Sequence, residues 1–182
     1  MNLPMISLVV FTLMIGSTFL SFFRRKNLKM FLGFVLAYFA FLAFILLEFA
    51  YDFRVYDFVV LLVVMTIFMH FFIGKNLGYY VKSRVFDRYL HLFGTCSLCL
   101  FAFLVLGNLY QPVFHSQVLI FIFVLSLGAL LGVLFELMEF AVDTVFKTKE
   151  QDGLADTNFD LLFNTFGSVI AAIIVVSSKT LF

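Results

Sequence analysis

Three carboxylates interrupt a long apolar run in the second half of the sequence. In GVLFELMEFAVDTVF, residues 132–146, Glu136, Glu139 and Asp143 are separated by three and four residues. On a helix this spacing puts the three side chains on one face, and Gly128 and Gly132 continue that face at intervals of four. Carboxylates on a shared face can bind a metal ion or act as general acid and base, so this face is the first candidate for chemistry.

Two other segments repeat the pattern of polar residues followed by small ones. At helical intervals of three or four, one segment carries Asp87, His91 and Thr95, and the other carries Asp156, Asp160, Asn164, Gly167 and Ala171. His70 lies near the end of a further apolar segment. Small residues allow helices to approach closely. The three polar stripes and His70 therefore predict the walls of one cavity at a single depth.

The residue types in these stripes suit a divalent cation. Carboxylate oxygen and imidazole nitrogen, without thiolate, favour Mg²⁺, Mn²⁺ or Zn²⁺. Such an ion would offset the crowded negative charge and could polarise a phosphate ester or activate water. The candidate metal ligands are Glu136, Glu139, Asp156, Asp160 and His91. The candidate catalytic residues are His91 as general acid or base, Asp87 to orient it, and Glu136 and Glu139, with Asn164, His70 and Asp143 completing the site.

The elements that must position these residues are transmembrane helices. The chain of 182 residues is 64% hydrophobic and 13% charged, with a mean hydropathy of +1.12, whereas soluble domains carry roughly 25% charged residues. Apolar runs of about 18 residues or more indicate membrane spans. We predict an all-α polytopic membrane protein, one transmembrane helical domain over residues 1–182, with spans at about 3–23, 30–50, 57–74, 88–110, 117–146 and 160–178.

Basic residues in the connecting loops predict the orientation. The first, third and fifth loops contain ten basic residues, and the opposite side contains Arg54 and Lys179. Because basic loops stay in the cytoplasm, both termini are expected outside and the polar stripes near the cytoplasmic face. A lipid headgroup or a lipid-linked substrate is then the expected partner. The net charge of +1 and the lack of a basic tail predict no nucleic-acid partner.

Three ordered motifs resemble the YjdF-type family of inner-membrane proteins. They are FDRYLHLFG (86–94), LGVLFELMEF (131–140) and QDGLADTNFDLLFNTFGSVIAA (151–172). The matches to the family pattern are Asp87 and His91, then Glu136 and Glu139, then Gln151, Asp156, Thr157 and Asp160. The chain departs from it at Asp152-Gly153 and at Phe140. The resemblance implies an integral protein of about six helices in a bacterial-type plasma membrane.

A looser resemblance extends to VanZ-like membrane proteins. It rests on the Asp87 and His91 pair, a membrane Glu, and Asp160, Asn164 and Gly167 in an Asp-x-x-x-Asn-x-x-Gly arrangement. This resemblance implies a connection with envelope lipids or glycopeptide resistance.

Other interpretations of the same residues remain open. Glu136 and Glu139 could pair with Arg84 or Arg88 and lock the helices together, because charges within membranes commonly pair. Acids and histidines also form proton relays, so a proton-coupled transporter is an alternative function, although no inverted repeat is evident in the sequence. A non-catalytic membrane scaffold is a further alternative function.

Overall fold

The protein is helical throughout the part of the chain that the structure describes. This computed structural model describes residues 28–178 and the single positions 12 and 16. The helices are α1 (Leu28–Ala50), α2 (Asp57–Phe68), a π-helical segment (Met69–Asn76), α3 (Tyr79–Lys82), α4 (Arg84–Tyr110), α5 (Gln117–Phe146) and α6 (Leu154–Ser177). The prediction of an all-α polytopic membrane protein is confirmed.

Five helical stretches within the described residues are long and apolar enough to cross a membrane. They are Leu32–Ala50, Asp57–Asn76, Val85–Tyr110, Gln117–Phe146 and Leu154–Ser177. The predicted first span, 3–23, lies outside the described residues. Helix α6 begins at Leu154, well before the predicted span at 160. The reason is that Asp156 lies in its first turn, where a carboxylate is favoured by the helix dipole although it lowers the local hydropathy.

The described part of the chain forms two compact units, one ending at Phe86 and the other beginning at Asp87. In the first unit, the helix that starts at Asp57 changes to π-helix at Met69 and continues to Asn76. Gly74 lies against the Tyr80 ring, and the Tyr80 hydroxyl is 2.6 Å from His70 Nδ1. The division into two units leaves the predicted single transmembrane domain as a prediction.

The second unit contains the polar stripes. Helices α5 and α6 form an αα-hairpin through the loop 147–153, and small residues bring them into close contact. A Cβ atom placed on Gly132 would lie 2.6 Å from Asn164 Cβ, and one on Gly128 would lie 2.7 Å from Ser168 Cβ. These glycines therefore set the approach of the two helices, as the small-residue spacing predicts.

Helix α4 packs against both members of this hairpin. Gly167 of α6 lies directly against the backbone carbonyl of Leu92 in α4. Cys99 of α4 is fully buried, and its thiol donates a hydrogen bond to the Val124 carbonyl of α5 at 3.2 Å. The three helices are thereby held at distances that allow their polar side chains to meet.

Candidate metal centre

His91 is at the centre of the polar residues of the second unit. Its Nε2 atom is 3.5 Å from Asp87 Oδ1 and 3.9 Å from Glu139 Oε1. Its Nδ1 atom is 3.7 Å from Glu136 Oε1. Asp87 reaches the ring because it lies one turn earlier on α4, whereas both glutamates come from α5. One imidazole therefore contacts carboxylates from two helices.

Two buried polar residues orient the His91 ring. Asn164 Oδ1 of α6 is 3.2 Å from His91 Nδ1, and it also accepts a hydrogen bond from Thr95 Oγ1 at 2.6 Å. Asn164 Oδ1 accepts from Nδ1 when that nitrogen carries the ring proton, and in that tautomer Nε2, which faces Asp87 and Glu139, is the candidate ligand atom. Metal-binding histidines commonly donate the proton of their second nitrogen to such an oxygen.

Two groups of side chains have ligand atoms close enough to hold a metal ion. They are Asp87, His91 and Asp160, and His91, Glu136 and Glu139, and within each group the ligand atoms lie within 4.8 Å of one another. Ligand atoms of tetrahedral Zn²⁺ lie roughly 3.3–3.6 Å apart, and opposite ligands of octahedral Mg²⁺ lie about 4.0–4.2 Å apart, so inward side-chain movements of about 1 Å would close either group around an ion. His91 belongs to both groups.

The centre contains buried oxygen atoms that have no hydrogen-bond donor. Glu136 is 5% exposed and Asp160 is 2% exposed, and among the described residues neither Glu136 Oε1 nor Asp160 Oδ1 has a hydrogen-bond partner. Buried polar atoms are almost always hydrogen-bonded, because a group left unsatisfied costs about 1–3 kcal/mol, and more when it is charged. These two carboxylate oxygens are therefore candidate metal ligands.

Arg88 does not form an ion pair with the two glutamates in the described part of the chain. The Arg88 guanidinium lies 4.0 Å from the centre of the Phe159 ring, and its buried Nε has no hydrogen-bond partner. In the described part of the chain, the ion pairs of Glu136 and Glu139 are those with His91. The side chain of Arg84 lies outside the described residues. Pairing with Arg88, one of the open interpretations, is therefore not found.

Besides Asn164, three predicted site residues lie outside both ligand groups. Asp143 accepts hydrogen bonds from Thr148 Oγ1 at 2.6 Å and from the backbone N–H groups of Glu150 and Gln151 at 2.7 and 3.0 Å. Asp156 accepts one from the backbone N–H of Asp152. His70 belongs to the first unit, beside Tyr80. Asp143 thus organises the loop 147–153, and the assignment of Asp156 as a ligand stays a prediction.

We expect Asp143→Ala to open this loop. The variant removes the acceptor of three hydrogen bonds, and bonds to a charged group contribute about 1.5–3 kcal/mol each. Limited digestion with trypsin after Lys147 and Lys149 should be at least about tenfold faster than in the unaltered protein. Thr144→Ala is the control, because that hydroxyl bonds only to the Phe140 carbonyl of its own helix. Equal cleavage rates in the two variants would show that Asp143 does not hold the loop.

Gln151 is a site residue that helical spacing did not identify. Its side-chain amide donates to Glu136 Oε2 at 3.3 Å and to the Glu136 backbone carbonyl at 3.1 Å. These bonds occupy Oε2 and leave Oε1 directed at His91. Gln151 lies in the loop, where there is no periodicity to reveal a facing side chain. Its match to the third motif of the YjdF-type resemblance, residues 151–172, is the sequence feature that could have identified it.

The fold and the site define a class: an integral membrane protein with several apolar helices and a buried cluster of acids and one histidine. The chain belongs to the family of predicted membrane proteins called DUF2238, whose model matches residues 5–180.

One relative is an uncharacterized protein of Thermotoga maritima. It is 31% identical over 119 residues, which cover 63% of this chain and 60% of the relative. The chain therefore matches somewhat less than two thirds of the length of that protein. No solved structure matches the chain. The family match confirms the predicted membrane class, and the VanZ-like resemblance stays a prediction.

Proposed function

We propose that the second unit holds a divalent cation inside the membrane and uses it to bind or modify a lipid headgroup or a lipid-linked envelope substrate. The observation that carries this proposal is the pair of buried carboxylate oxygens, Glu136 Oε1 and Asp160 Oδ1, without donors beside an oriented imidazole. Each oxygen belongs to a different ligand group around His91, and a cation bound in a group would satisfy the oxygen of that group. We also propose that the protein is of the YjdF type and lies in a bacterial-type plasma membrane.

Electrostatics supports a cation over a purely structural cluster. A single charged side chain at the centre of a membrane span costs about 2.5–3.5 kcal/mol on insertion scales. Here four carboxylates, those of Asp87, Glu136, Glu139 and Asp160, surround one imidazole. A cluster selected only for stability would be expected to pair every buried acceptor. A cation supplies the missing positive charge and the missing contacts together.

The residues of the chain have distinct roles in this proposal. When bound, the ion supplies Lewis acidity to a phosphate oxygen. His91 and the carboxylates around it would hold the ion, while Asn164 and Thr95 would fix the ring orientation. Gln151 fixes the Glu136 carboxylate. The predicted orientation places these groups near the cytoplasmic headgroups, so a membrane lipid is the favoured partner.

The proposal predicts that Glu136→Ala weakens binding of Mn²⁺ by at least about tenfold, because one group loses a ligand and the neighbouring charge falls. The measurement is titration of Mn²⁺ into the protein in lipid nanodiscs, followed by electron paramagnetic resonance of the unbound ion. Asp152→Ala is the control: it also removes a carboxylate, but from the exposed loop.

Several results would contradict the proposal. Absence of bound Mn²⁺, Mg²⁺ or Zn²⁺ in the unaltered protein would do so, as would equal affinities in the two variants. If Glu136→Ala instead abolished proton-coupled flux in proteoliposomes without any cation being bound, the transporter would replace the metal site. If Glu136→Ala lowered only the melting temperature, a non-catalytic scaffold would replace the metal site as the proposed function.

A further inference from the structure

One arginine near the candidate metal centre has no anionic partner among the described residues. Arg88 Cζ lies 4.0 Å from the centre of the Phe159 ring, and Arg88 Nε is buried. Within the described part of the chain, the guanidinium makes no hydrogen bond and no ion pair. Its two terminal nitrogens are not buried. Arg88 therefore has a ring contact on one face of the guanidinium and unpaired donors at its end.

The sequence explains why Arg88 lies at the border of one ligand group. Arg88 follows Asp87 on α4, and Phe159 precedes Asp160 on α6. Consecutive side chains on a helix point about 100° apart around the axis. Asp87 and Asp160 are therefore directed toward His91, and their two neighbours meet beside this group. The guanidinium still interacts electrostatically with both carboxylates.

Neither neutralisation of the acids nor ordinary anchoring in the membrane explains this arrangement. An arginine that offsets a carboxylate gains most from direct N–H···O bonds, and Arg88 forms none with Asp87 or Asp160. Arginines near the ends of spans commonly extend to the headgroups. Here Nε is buried and the guanidinium lies against a ring of α6 instead. The ring contact holds the guanidinium beside the ligand group, with its terminal donors available to a ligand.

We infer that Arg88 binds a phosphate group at the edge of the metal centre, beside the cation held by Asp87, His91 and Asp160. This inference rests on the proposed function, because it assigns the residue that recognises the phosphate of that substrate. The cation offsets the two carboxylates of the group, and Arg88 adds a positive charge on the side of Phe159. A planar guanidinium presents paired donors that match two phosphate oxygens. A monoanionic phosphodiester is therefore the chemistry that this edge recognises.

The depth of Arg88 favours the phosphate of a membrane lipid. Arg88 lies three residues after Val85, the first residue of an apolar stretch long enough to cross a membrane, which is about 4.5 Å along the helix axis. In the predicted orientation this is the cytoplasmic end of α4, near the lipid headgroups. Phe159 is 44% exposed, so the ring contact lies at the surface of the helices, where a lipid can reach it. A soluble phosphodiester offers the same chemistry from water, and the experiment distinguishes the two sources.

Substitution of Arg88 tests the inference. Arg88→Gln removes the charge and the paired donors, whereas Arg88→Lys keeps the charge and a long side chain. Arg54→Gln is the matched control, because Arg54 is an exposed arginine between α1 and α2 of the first unit. The probe is tritiated phosphatidylglycerol in phosphate-free maltoside micelles. The measurement is its equilibrium binding to each protein, with Mn²⁺ and with a chelator, together with the Mn²⁺ affinity of each protein.

We expect Arg88→Gln to weaken binding of phosphatidylglycerol in the presence of Mn²⁺ by at least about tenfold. Arg88→Lys should lose less, because an ammonium keeps the charge without the planar pair of donors. Arg54→Gln should bind as the unaltered protein does. The Mn²⁺ affinity of Arg88→Gln should be equal or higher, since a positive charge near the ligand group is removed.

Two results would overturn the inference. One is unchanged phosphatidylglycerol binding in Arg88→Gln and Arg88→Lys, whatever happens to their melting temperatures. The other is an equal loss in Arg88→Gln and Arg54→Gln, which would indicate a general effect of charge. Glycerophosphoglycerol, which carries the same phosphodiester without acyl chains, identifies the source. Displacement of the lipid by it at the same concentration as by unlabelled phosphatidylglycerol would assign Arg88 to a soluble phosphodiester, and weaker displacement would assign it to the lipid.

The same measurements separate this inference from the proposed function. Phosphatidylglycerol binding that requires Arg88 in a protein that binds no Mn²⁺ would support Arg88 as a phosphate site and overturn the cation. Normal Mn²⁺ binding with equal phosphatidylglycerol affinity in all four proteins would support the cation and overturn the role of Arg88.

Discussion

His91→Ala is expected to abolish measurable binding of divalent cations to the second unit. His91 is the residue common to both candidate ligand groups, so its loss leaves each group with two carboxylates. Substitution of groups that merely support a metal ligand already costs about 10–100-fold in affinity. Removal of a shared ligand should therefore weaken binding by at least about 100-fold. This effect should exceed that of Glu136→Ala, since Glu136 belongs to one group.

The measurement is the Mn²⁺ titration in nanodiscs, combined with a thermal melt in the absence of metal. His115→Ala is the matched control, because His115 is exposed and lies between α4 and α5, outside the ligand groups. In the unaltered protein, saturating Mn²⁺ should raise the melting temperature, and this increase should disappear in His91→Ala. A variant that keeps its Mn²⁺ affinity would show that the imidazole is not a ligand.

Two variants of Asn164 test whether this residue orients the His91 ring for metal binding. Asn164→Asp keeps an oxygen beside His91 Nδ1, whereas Asn164→Leu removes it. If Asn164 orients the ring as the contacts indicate, Asn164→Asp should retain more of the affinity than Asn164→Leu. The order of these two variants therefore distinguishes an orienting role from simple packing.

Hydropathy predicted the long membrane helices, whereas the single transmembrane domain stays a prediction. The long apolar runs were sufficient for α4 and α5, because a membrane-spanning helix must contain about 20 apolar residues. Helix α6 begins before the predicted span at about 160, since its first turn contains Asp156 and is still helical. The π-helical segment from Met69 could not be predicted from periodicity, because it preserves the apolar composition of the helix it continues.

The spacing of the acids predicted that they share one face of the helix, but it did not predict which residues each acid contacts. Glu136 and Asp143 lie on the same face of α5, as the intervals of three and four require. Glu136 Oε1 lies 3.7 Å from His91 Nδ1, whereas Asp143 accepts a hydrogen bond from the Glu150 backbone N–H in the loop 147–153. That difference depends on how the chain returns after Phe146. A helical period contains no information about the path of a loop.

Contacts between distant segments were also beyond the sequence pattern. The stripes predicted that Thr95 and Asn164 lie on inward faces, and both are buried. Their hydrogen bond depends on the relative height of α4 and α6, which the close packing of Gly167 against Leu92 determines. The height of one helix against another is set by such contacts and is not encoded in either helix alone.

Gly167→Ala is the second variant for which we expect a large effect. It should destabilise the packing of α4 against α6, which positions the site. A Cβ atom on Gly167 would overlap the Leu92 carbonyl oxygen and would lie 3.1 Å from the Cys96 backbone nitrogen. Both are backbone atoms of α4, so no side-chain rotation can relieve the clash, and α4 and α6 must separate. Overpacking of this kind costs about 1–3 kcal/mol, which corresponds to a melting temperature lower by roughly 2–12 °C.

Gly107→Ala on α4 provides the control, because a Cβ atom there meets nothing within 4 Å. Alanine is favoured over glycine in a helix by about 1 kcal/mol, so this variant should melt at the same temperature or higher. Gly167→Ala should also weaken Mn²⁺ binding, although it alters no ligand, because separation of α4 and α6 moves His91 away from Asn164 and Asp160. If Gly167→Ala and Gly107→Ala had the same melting temperature, Gly167 would not make the close contact that sets the relative height of α4 and α6. The convergence of His91 and Asp160 would then lose its structural basis.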